Sequence, residues 1–299
     1  VNAHVASEYS GERIDKIVSA MAGVSRRVAR ELIESGAVLV NGSEVAPKDR
    51  MSGGEEVSIE IPAQESLQPE EVPFEVRYED EDIAVIDKPS GTVVHPGAGV
   101  SQGTLAAGLL HRWPRIEGVG VEDRWGIVHR LDRDTSGLLV VALSKRAYDG
   151  LTRAMAAREV SRVYLALVQG AFQLPSGTVD APIGRDPRRP GRKAVRREGR
   201  PARTHYRQLA GWGDTTLLEV RLETGRTHQI RVHLASIGHP VVGDIVYGGP
   251  EAVRLWLHAT SLTFAHPVTG VEISVVSPLP AELEETLEVL GEPDVGSIS

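Results

Sequence analysis

The chain has no cysteine. That excludes disulfides, thiol nucleophiles and thiolate metal sites, and it favours a reducing compartment. No apolar run approaches the roughly 18 residues a membrane helix needs. The first residues, VNAHVASEYSGERIDK, lack the apolar core of a signal peptide. The expectation is a cytoplasmic protein with no membrane partner. His228 and His233 are five apart, about 140° around a helix, so they cannot share a metal ion. No other histidine spacing is better, and no metal site is expected. Gly97-Ala98-Gly99 does not complete a GxGxxG fingerprint, which removes a dinucleotide site. What remains is 299 residues, 41% apolar and 25% charged, ordinary for one large globular domain or two smaller ones.

The most informative stretch is Gly126 to Ala142, GIVHRLDRDTSGLLVVA. Leu138 to Leu143 is rich in branched apolar residues and reads as a buried strand. The polar insert before it, residues 129–137, is then a loop at the edge of a sheet, crowded with Asp and Arg. Charged groups on a loop held by a rigid scaffold are where chemistry concentrates. Asp132-x-Asp134-x-Ser136-Gly137 opens like a calcium loop, but loop position 12 is Leu143 where a bidentate Glu is required. His129-Arg130-Leu131-Asp132 resembles a kinase catalytic loop, yet an extra Leu separates Arg from Asp and the Gly-rich ATP loop is missing. Loop side chains that merely cap their own backbone stay open as the plainer alternative.

Along the chain, residues 13–61 read as a small module. Ile14, Ile17, Val18 and Met21 mark one face of a first helix. Ser25 can cap a second helix that buries Val28, Ala29, Leu32 and Ile33, with Arg26, Arg27 and Arg30 outside. An Asn41-Gly42 hairpin turn and an extended run, Val57 to Ile61, follow. Residues 62–73, PAQESLQPEEVP, read as a solvated linker. A larger domain, 74–290, has strands at 83–86, 162–168, 217–222 and 273–278, and helices at 104–112, 146–158 and 282–290. A further helix is capped by Thr227, with Ile230, Leu234 and Ile237 on its core face and Arg231 offset from that stripe. The tail, 291–299, is expected to fray. Lys88 contacts phosphate or sits on the surface, and Tyr164 is either a core aromatic or a platform for a base.

Charge is uneven. Between Arg185 and Arg207 ten Lys or Arg face Asp186 and Glu198, a local +8 within a chain of −8, which leaves −16 elsewhere. A segment so charged and so rich in Pro and Gly reads as a mobile loop, and Arg188, Arg189, Arg192 and Lys193 in it are candidates for RNA-backbone contacts.

From about residue 13 to 290 the chain resembles the RluA family of pseudouridine synthases, in the branch that carries an S4 RNA-binding domain and acts on large-subunit ribosomal RNA. The resemblance rests on GIVHRLDRDTSGLLVVA, on LETGRTHQIRVHLASIGHPVVGDIVYGG at 222–249, on VHPGAG at 94–99 and on the strand from Arg162 to Gly170. Arg13-Ile14-Asp15-Lys16, Ser25-Arg26-Arg27 and LVNGSEV at 39–45 match the S4 domain. Many relatives have Lys where this chain has Arg162, a change that keeps the charge. The resemblance implies an α+β fold, with a mixed, largely antiparallel central sheet and flanking helices, plus a small N-terminal S4-like domain over 1–61. It makes Asp132 the catalytic aspartate, Tyr164 the aromatic that stacks on the target base and Arg231 the arginine paired with Asp132. Arg130 would fill the gap left by the extruded nucleotide. It also implies no metal or organic cofactor, and ribosomal RNA of the large subunit as the partner. The chain is expected to act as a monomer.

Those roles are physically coherent. Detaching uracil from its sugar and rejoining it through carbon needs an anionic group that attacks or deprotonates the nucleoside, and an ionised carboxylate serves without a cofactor. Burial beside a base would neutralise such a group unless a guanidinium lies nearby. Two other readings remain: an RNA-binding or ribosome-assembly factor without catalysis, and a hydrolase with an Asp nucleophile. The first has no need of Asp132. The second lacks a partner base or oxyanion motif.

Overall fold

Asn41 and Gly42 both adopt left-handed backbone, with φ of 50° and 77°. This is the two-residue turn whose twist matches paired strands. It joins β2 (Val38–Val40) to β3 (Ser43–Glu44). The computed structural model describes residues 2–6, 9–24, 26–60, 67–97, 100–121, 124–172, 174–189 and 191–297, the side chains of 2, 3 and 27 excepted. It divides the chain into two units, 1–66 and 67–299. In the first, β1 (Asn2–His4) and β4 (Glu56–Ile59) complete a sheet ordered β1-β4-β2-β3. The two helices are α1 (Ile14–Ala22) and α2 (Arg26–Glu34). Ile14, Ile17 and Val18 share one buried cluster with Ala29, Leu32, Ile33, Val38 and Val57, as the helical spacing requires. Ser25, expected as a cap, lies outside the described residues.

The second unit is built on one large sheet. Its strands are β5 (Glu75–Glu79), β6 (Ile83–Lys88), β7 (Ser136–Ala142), β8 (Ser161–Gln169), β9 (Ser176–Asp180), β12 (Arg203–Trp212), β13 (Thr215–Leu222), β14 (Leu257–Ala265), β15 (Glu272–Val276) and β16 (Val295–Gly296). Between β9 and β12 lies a separate hairpin, β10 (Ile183–Arg185) and β11 (Lys193–Val195). The main path runs β16-β12-β13-β8-β14-β7-β6-β5, with β15 beside β14 and β9 beside β12. Among the described residues, β7 with β14 is the one parallel pair. The expected mixed, largely antiparallel sheet is therefore what forms.

Alternate residues of β8 face opposite sides. Tyr164, Ala166 and Val168 join the main cluster, which also takes Leu105 and Leu109 of α3 (Leu105–Arg112) and Leu151 of α4 (Lys145–Ala157). Ile230 and Leu234 of α5 (Gln229–Ser236) belong to it too. Leu167 faces a second cluster with Trp212, Leu217 and Leu283 and Leu287 of α6 (Ala281–Leu290). Burying β7 over its whole length accounts for its unbroken apolar run.

Four expectations need correction. Residues 67–73 of the expected linker are docked: Leu67 packs on the main cluster, Glu70 N donates to Ala107 O at 3.2 Å and Glu70 Oε2 accepts from Gly103 N at 2.7 Å. Leu67 on the main cluster, Val72 beside Gly108 and the Glu70 hydrogen bonds fasten an otherwise polar run; residues 62–66 lie outside the described ones. The tail is tied down as far as residue 297. There β16 pairs with Ala210 and Gly211, and the Trp212 indole donates to Gly291 O at 2.8 Å. The basic stretch is not a loop throughout, since β10, β11 and the start of β12 order its backbone; most of its charges are exposed, while Arg192 turns onto Tyr247. Finally, Thr227 does not cap α5. His228 precedes it at φ 58°, and the side chain of Gln229 accepts from Arg226 N at 3.0 Å and from Thr224 Oγ1 at 2.7 Å. Ile237 falls past the end of α5 and is exposed. Among the described residues no helix is long and apolar enough to cross a membrane.

Candidate active site

Lys88 ends β6 and is fully buried, where the sequence suggested surface or phosphate contact. Its ammonium donates to Pro89 O at 2.8 Å, Thr92 O at 3.0 Å and Arg133 O at 2.9 Å. Gly91 N also donates to Arg133 O at 2.9 Å, and Ser90 Oγ to Asp134 O at 2.8 Å. The loop 129–135 is thus stapled from beneath by residues 88–92. Burial pushes the Lys88 pKa down to about 7. Lys88→Met keeps the stem but leaves Pro89 O and Thr92 O without this donor, while Arg133 O keeps Gly91 N, each orphaned carbonyl costing about 1–3 kcal/mol. The variant is expected to melt lower and to lose order in the loop, read by thermal unfolding and by amide exchange at 131–135; an unchanged melting temperature would contradict this. Gly137, at φ 113°, lets β7 approach β14 closely: a Cβ there would lie 2.3 Å from Ala259 O.

On this loop Asp132 reaches Arg231 of α5, with Arg231 Nη1 to Asp132 Oδ2 at 3.3 Å. The rest of the guanidinium is taken by Asp244, whose Oδ2 accepts from Nε at 2.7 Å and Oδ1 from Nη2 at 2.9 Å. The Asp244 side chain is wholly buried and that of Arg231 is 7% exposed; that of Asp132, at 16%, keeps access to the cleft. Burial disfavours the Arg231 charge, but Asp244 and then Asp132 outweigh it and raise its pKa above the ordinary value. A guanidinium gripped at both ends by one carboxylate presents its remaining nitrogen in a fixed direction.

Tyr164, buried in β8, lines the same cleft with Asp132, Thr135, His228 and Arg231, and burial raises its pKa. It is both a core aromatic and a wall of the cleft, so the two sequence alternatives are not exclusive. Arg130 stands exposed at the rim. Sequence reasoning thus brought Asp132, Tyr164, Arg231 and Arg130 together, but it missed Asp244, Tyr247 and His228. The Tyr247 hydroxyl hydrogen-bonds His228 Nδ1 at 2.9 Å and accepts from Lys193 N at 3.1 Å. The guanidiniums of Arg192 and Arg231 lie over its ring at 4.7 and 5.1 Å. Arg188 and Arg189 are exposed at the hairpin tip.

In the first unit Asp15 is buried and accepts from both Arg13 and Arg26, the closest contact being Arg13 Nη2 at 2.7 Å. Burial works against the Asp15 charge, yet the two arginines hold its pKa below the usual range. Arg26 is therefore oriented by an acid, and Arg30 pairs loosely with Glu34 at 3.7 Å. The Arg27 side chain lies outside the described residues.

The family model for RNA pseudouridylate synthase matches residues 82–236, and that for the S4 domain matches 12–57. The chain belongs to the RNA pseudouridylate synthase family. Ribosomal large subunit pseudouridine synthase D of Escherichia coli K12 is 43% identical over 310 residues, covering 97% of this chain and 94% of that one. An uncharacterized RNA pseudouridine synthase of Mycobacterium tuberculosis is 43% identical, covering 94% and 95%. Among solved structures, human RNA pseudouridylate synthase domain containing 1 is similar at a TM-score of 0.57 and 29% identity, covering 76% of this chain and 98% of that one. In this pseudouridine synthase the aspartate, the buried tyrosine and the doubly held arginine all fall on one cleft of the catalytic unit.

Proposed function

We propose that this chain isomerises uridines of large-subunit ribosomal RNA to pseudouridine, in the cytoplasm and as a monomer, with Asp132 as the catalytic residue. The observation that carries the reading is the Asp132–Arg231–Asp244 chain in a tight cleft walled by Tyr164. The reaction breaks the bond from the sugar C1′ to N1, turns the uracil, forms a bond from C1′ to C5, and exchanges the C5 proton for one on N1. Asp132 supplies the carboxylate oxygen that attacks or deprotonates the nucleoside, and Arg231 holds that oxygen in place. The uridine must leave its stack, at a cost of a few kcal/mol. Stacking on Tyr164 offsets about 1–3 kcal/mol of this, and Arg130 fills the vacancy in the RNA.

The relatives whose names specify the large ribosomal subunit support the substrate, and the S4 domain with its arginine-bearing second helix supports RNA as partner. The proposed boundaries are an S4-like domain to residue 61 and a catalytic domain from 74, extended by the docked segment 67–73. Transcribed large-subunit ribosomal RNA incubated with the protein should acquire pseudouridine at discrete positions, mapped by base-specific derivatisation and primer extension. RNA left unmodified at every uridine would overturn the reading.

The hairpin supplies a second prediction. Arg188 and Arg189 have no acidic partner among the described residues. If both meet phosphate, Arg188→Gln with Arg189→Gln flattens the salt dependence of RNA binding by about 0.7–0.9 log unit per lost contact. An unchanged slope would remove the tip from the interface. Arg192 and Lys193, against Tyr247, stand nearer the cleft, and their substitution should lower turnover as well as affinity.

A further inference from the structure

Beside the cleft over Asp132 opens a cavity of about 400 Å³ that shares Arg130, Arg162 and Arg226 with it as a common wall. None of the roles assigned above uses this cavity. Its lining is rich in donors and poor in acceptors. Arg162 is 8% exposed, makes one long contact to Leu222 O at 3.5 Å, and has a buried Nε without a partner; no carboxylate among the described residues pairs with it. Arg226 donates to Pro201 O and likewise has no acidic partner there. The cavity's carboxylate, Glu223, is already engaged by Arg158, Arg203 and His205.

His129 adds a donor of fixed identity. Its Nε2 accepts from Val140 N at 3.0 Å, so that nitrogen carries the lone pair, and the proton of the neutral ring is on Nδ1. Burial, with Arg162 nearby, pushes the His129 pKa down to about 3, so the ring is neutral at working pH. Nδ1 is buried and has no partner among the described residues. An unpaired guanidinium and an unpaired N–H on one cavity wall call for an anion and an acceptor atom a short distance apart. The apolar side chains of Val128 and Met155 complete the lining.

We propose that this cavity is a second subsite, seating the nucleotide next to the target uridine. Its phosphate lies on Arg162 and Arg226, and an acceptor atom of its base lies on His129 Nδ1–H. The shared wall makes the two sites neighbours along one strand, and the inference rests on the RNA reading above. The consequence is a preference for base identity at one flanking position, set by a hydrogen bond rather than by charge.

The test uses the full chain carrying Asp132→Asn, so that binding is read without turnover. The probe is an RNA fragment transcribed around a uridine mapped as modified, and matched fragments with an abasic residue on either side. His129→Gln keeps an acceptor for Val140 N and withdraws the donor from the Nδ1 position, because the amide NH2 branches from the same carbon as the accepting oxygen. One of the two abasic fragments should bind the His129 parent about tenfold more weakly, the scale of one hydrogen bond. The His129→Gln protein should show no further loss with that fragment. Equal losses in both proteins, or no loss with either fragment, would overturn the subsite. Arg226→Gln should lower the salt slope of binding by roughly one contact, and an unchanged slope would remove the phosphate from the cavity. Failure of the family activity is separately visible: the unsubstituted protein would then modify no uridine in the mapping.

Discussion

Asp244→Asn is expected to lower the turnover number about a hundredfold while barely changing RNA affinity. Asp244 touches no substrate in this account. Its carboxylate grips Nε and Nη2 of Arg231, and Oδ1 also accepts from Tyr247 N at 3.3 Å. An asparagine of the same shape turns one oxygen into an NH2 that faces guanidinium hydrogens, so one of the two parallel bonds becomes a repulsion. Arg231 then has a single carboxylate left, Asp132, and rotates toward it or away from it. A displacement near 1 Å at a reacting group costs about 10²-fold in rate. Stability should fall as well, because removing one partner of a buried ion pair costs about 3–5 kcal/mol. Single-turnover kinetics separate the two effects: the folded fraction should still react slowly at saturating RNA. A rate within threefold of the parent would show that Arg231 needs no second carboxylate to aim it.

That dependence also explains what the sequence revealed and what it hid. Periodicity located α1 and β8 because each buries a regular face, and Asn41-Gly42 announced its turn because few other residue pairs accept two positive φ values. Asp132 stood out as a charged residue on a loop preceding an apolar strand. Asp244 did not. It sits between Gly243 and Ile245 in a segment without regular periodicity, and its partner is thirteen residues away on a helix. A signal existed: a buried guanidinium has five N–H donors, more than Asp132 could satisfy while remaining open to a substrate, so a second acid was required. Lys88 was obscured for the opposite reason. A lysine before Pro-Ser-Gly reads as surface, and only the fold brings Arg133 O, 45 residues later in the chain, within 2.9 Å. The helix start at His228 was misread because Thr227 has the right chemistry for a cap while Gln229, the first residue of the helix, has the right position.

The hairpin and the cleft are joined through Tyr247. Arg192 and Arg231 share its ring, and its hydroxyl meets the backbone of Lys193. A phosphate held by Arg192 would therefore lie one side chain away from the arginine that holds Asp132.

Asp132→Asn is the substitution on which the account turns. It removes the negative charge and changes almost nothing in volume. Arg231 stays gripped by Asp244, Tyr164 stays in the core, and the loop stays stapled by Lys88, because none of these contacts uses the Asp132 side chain except the one at 3.3 Å. The variant should fold, bind RNA with unchanged affinity and still admit a turned-out uridine. An amide has neither the nucleophilicity nor the basicity of a carboxylate, so the chemical step should fall by about four orders of magnitude or more, the scale seen where one nucleophile carries a reaction. The decisive measurement is the pseudouridine content of large-subunit ribosomal RNA after incubation with saturating Asp132→Asn protein, beside the parent. The account predicts modified positions with the parent and none above background with the variant. Pseudouridine formed by the variant at a rate near that of the parent would contradict it.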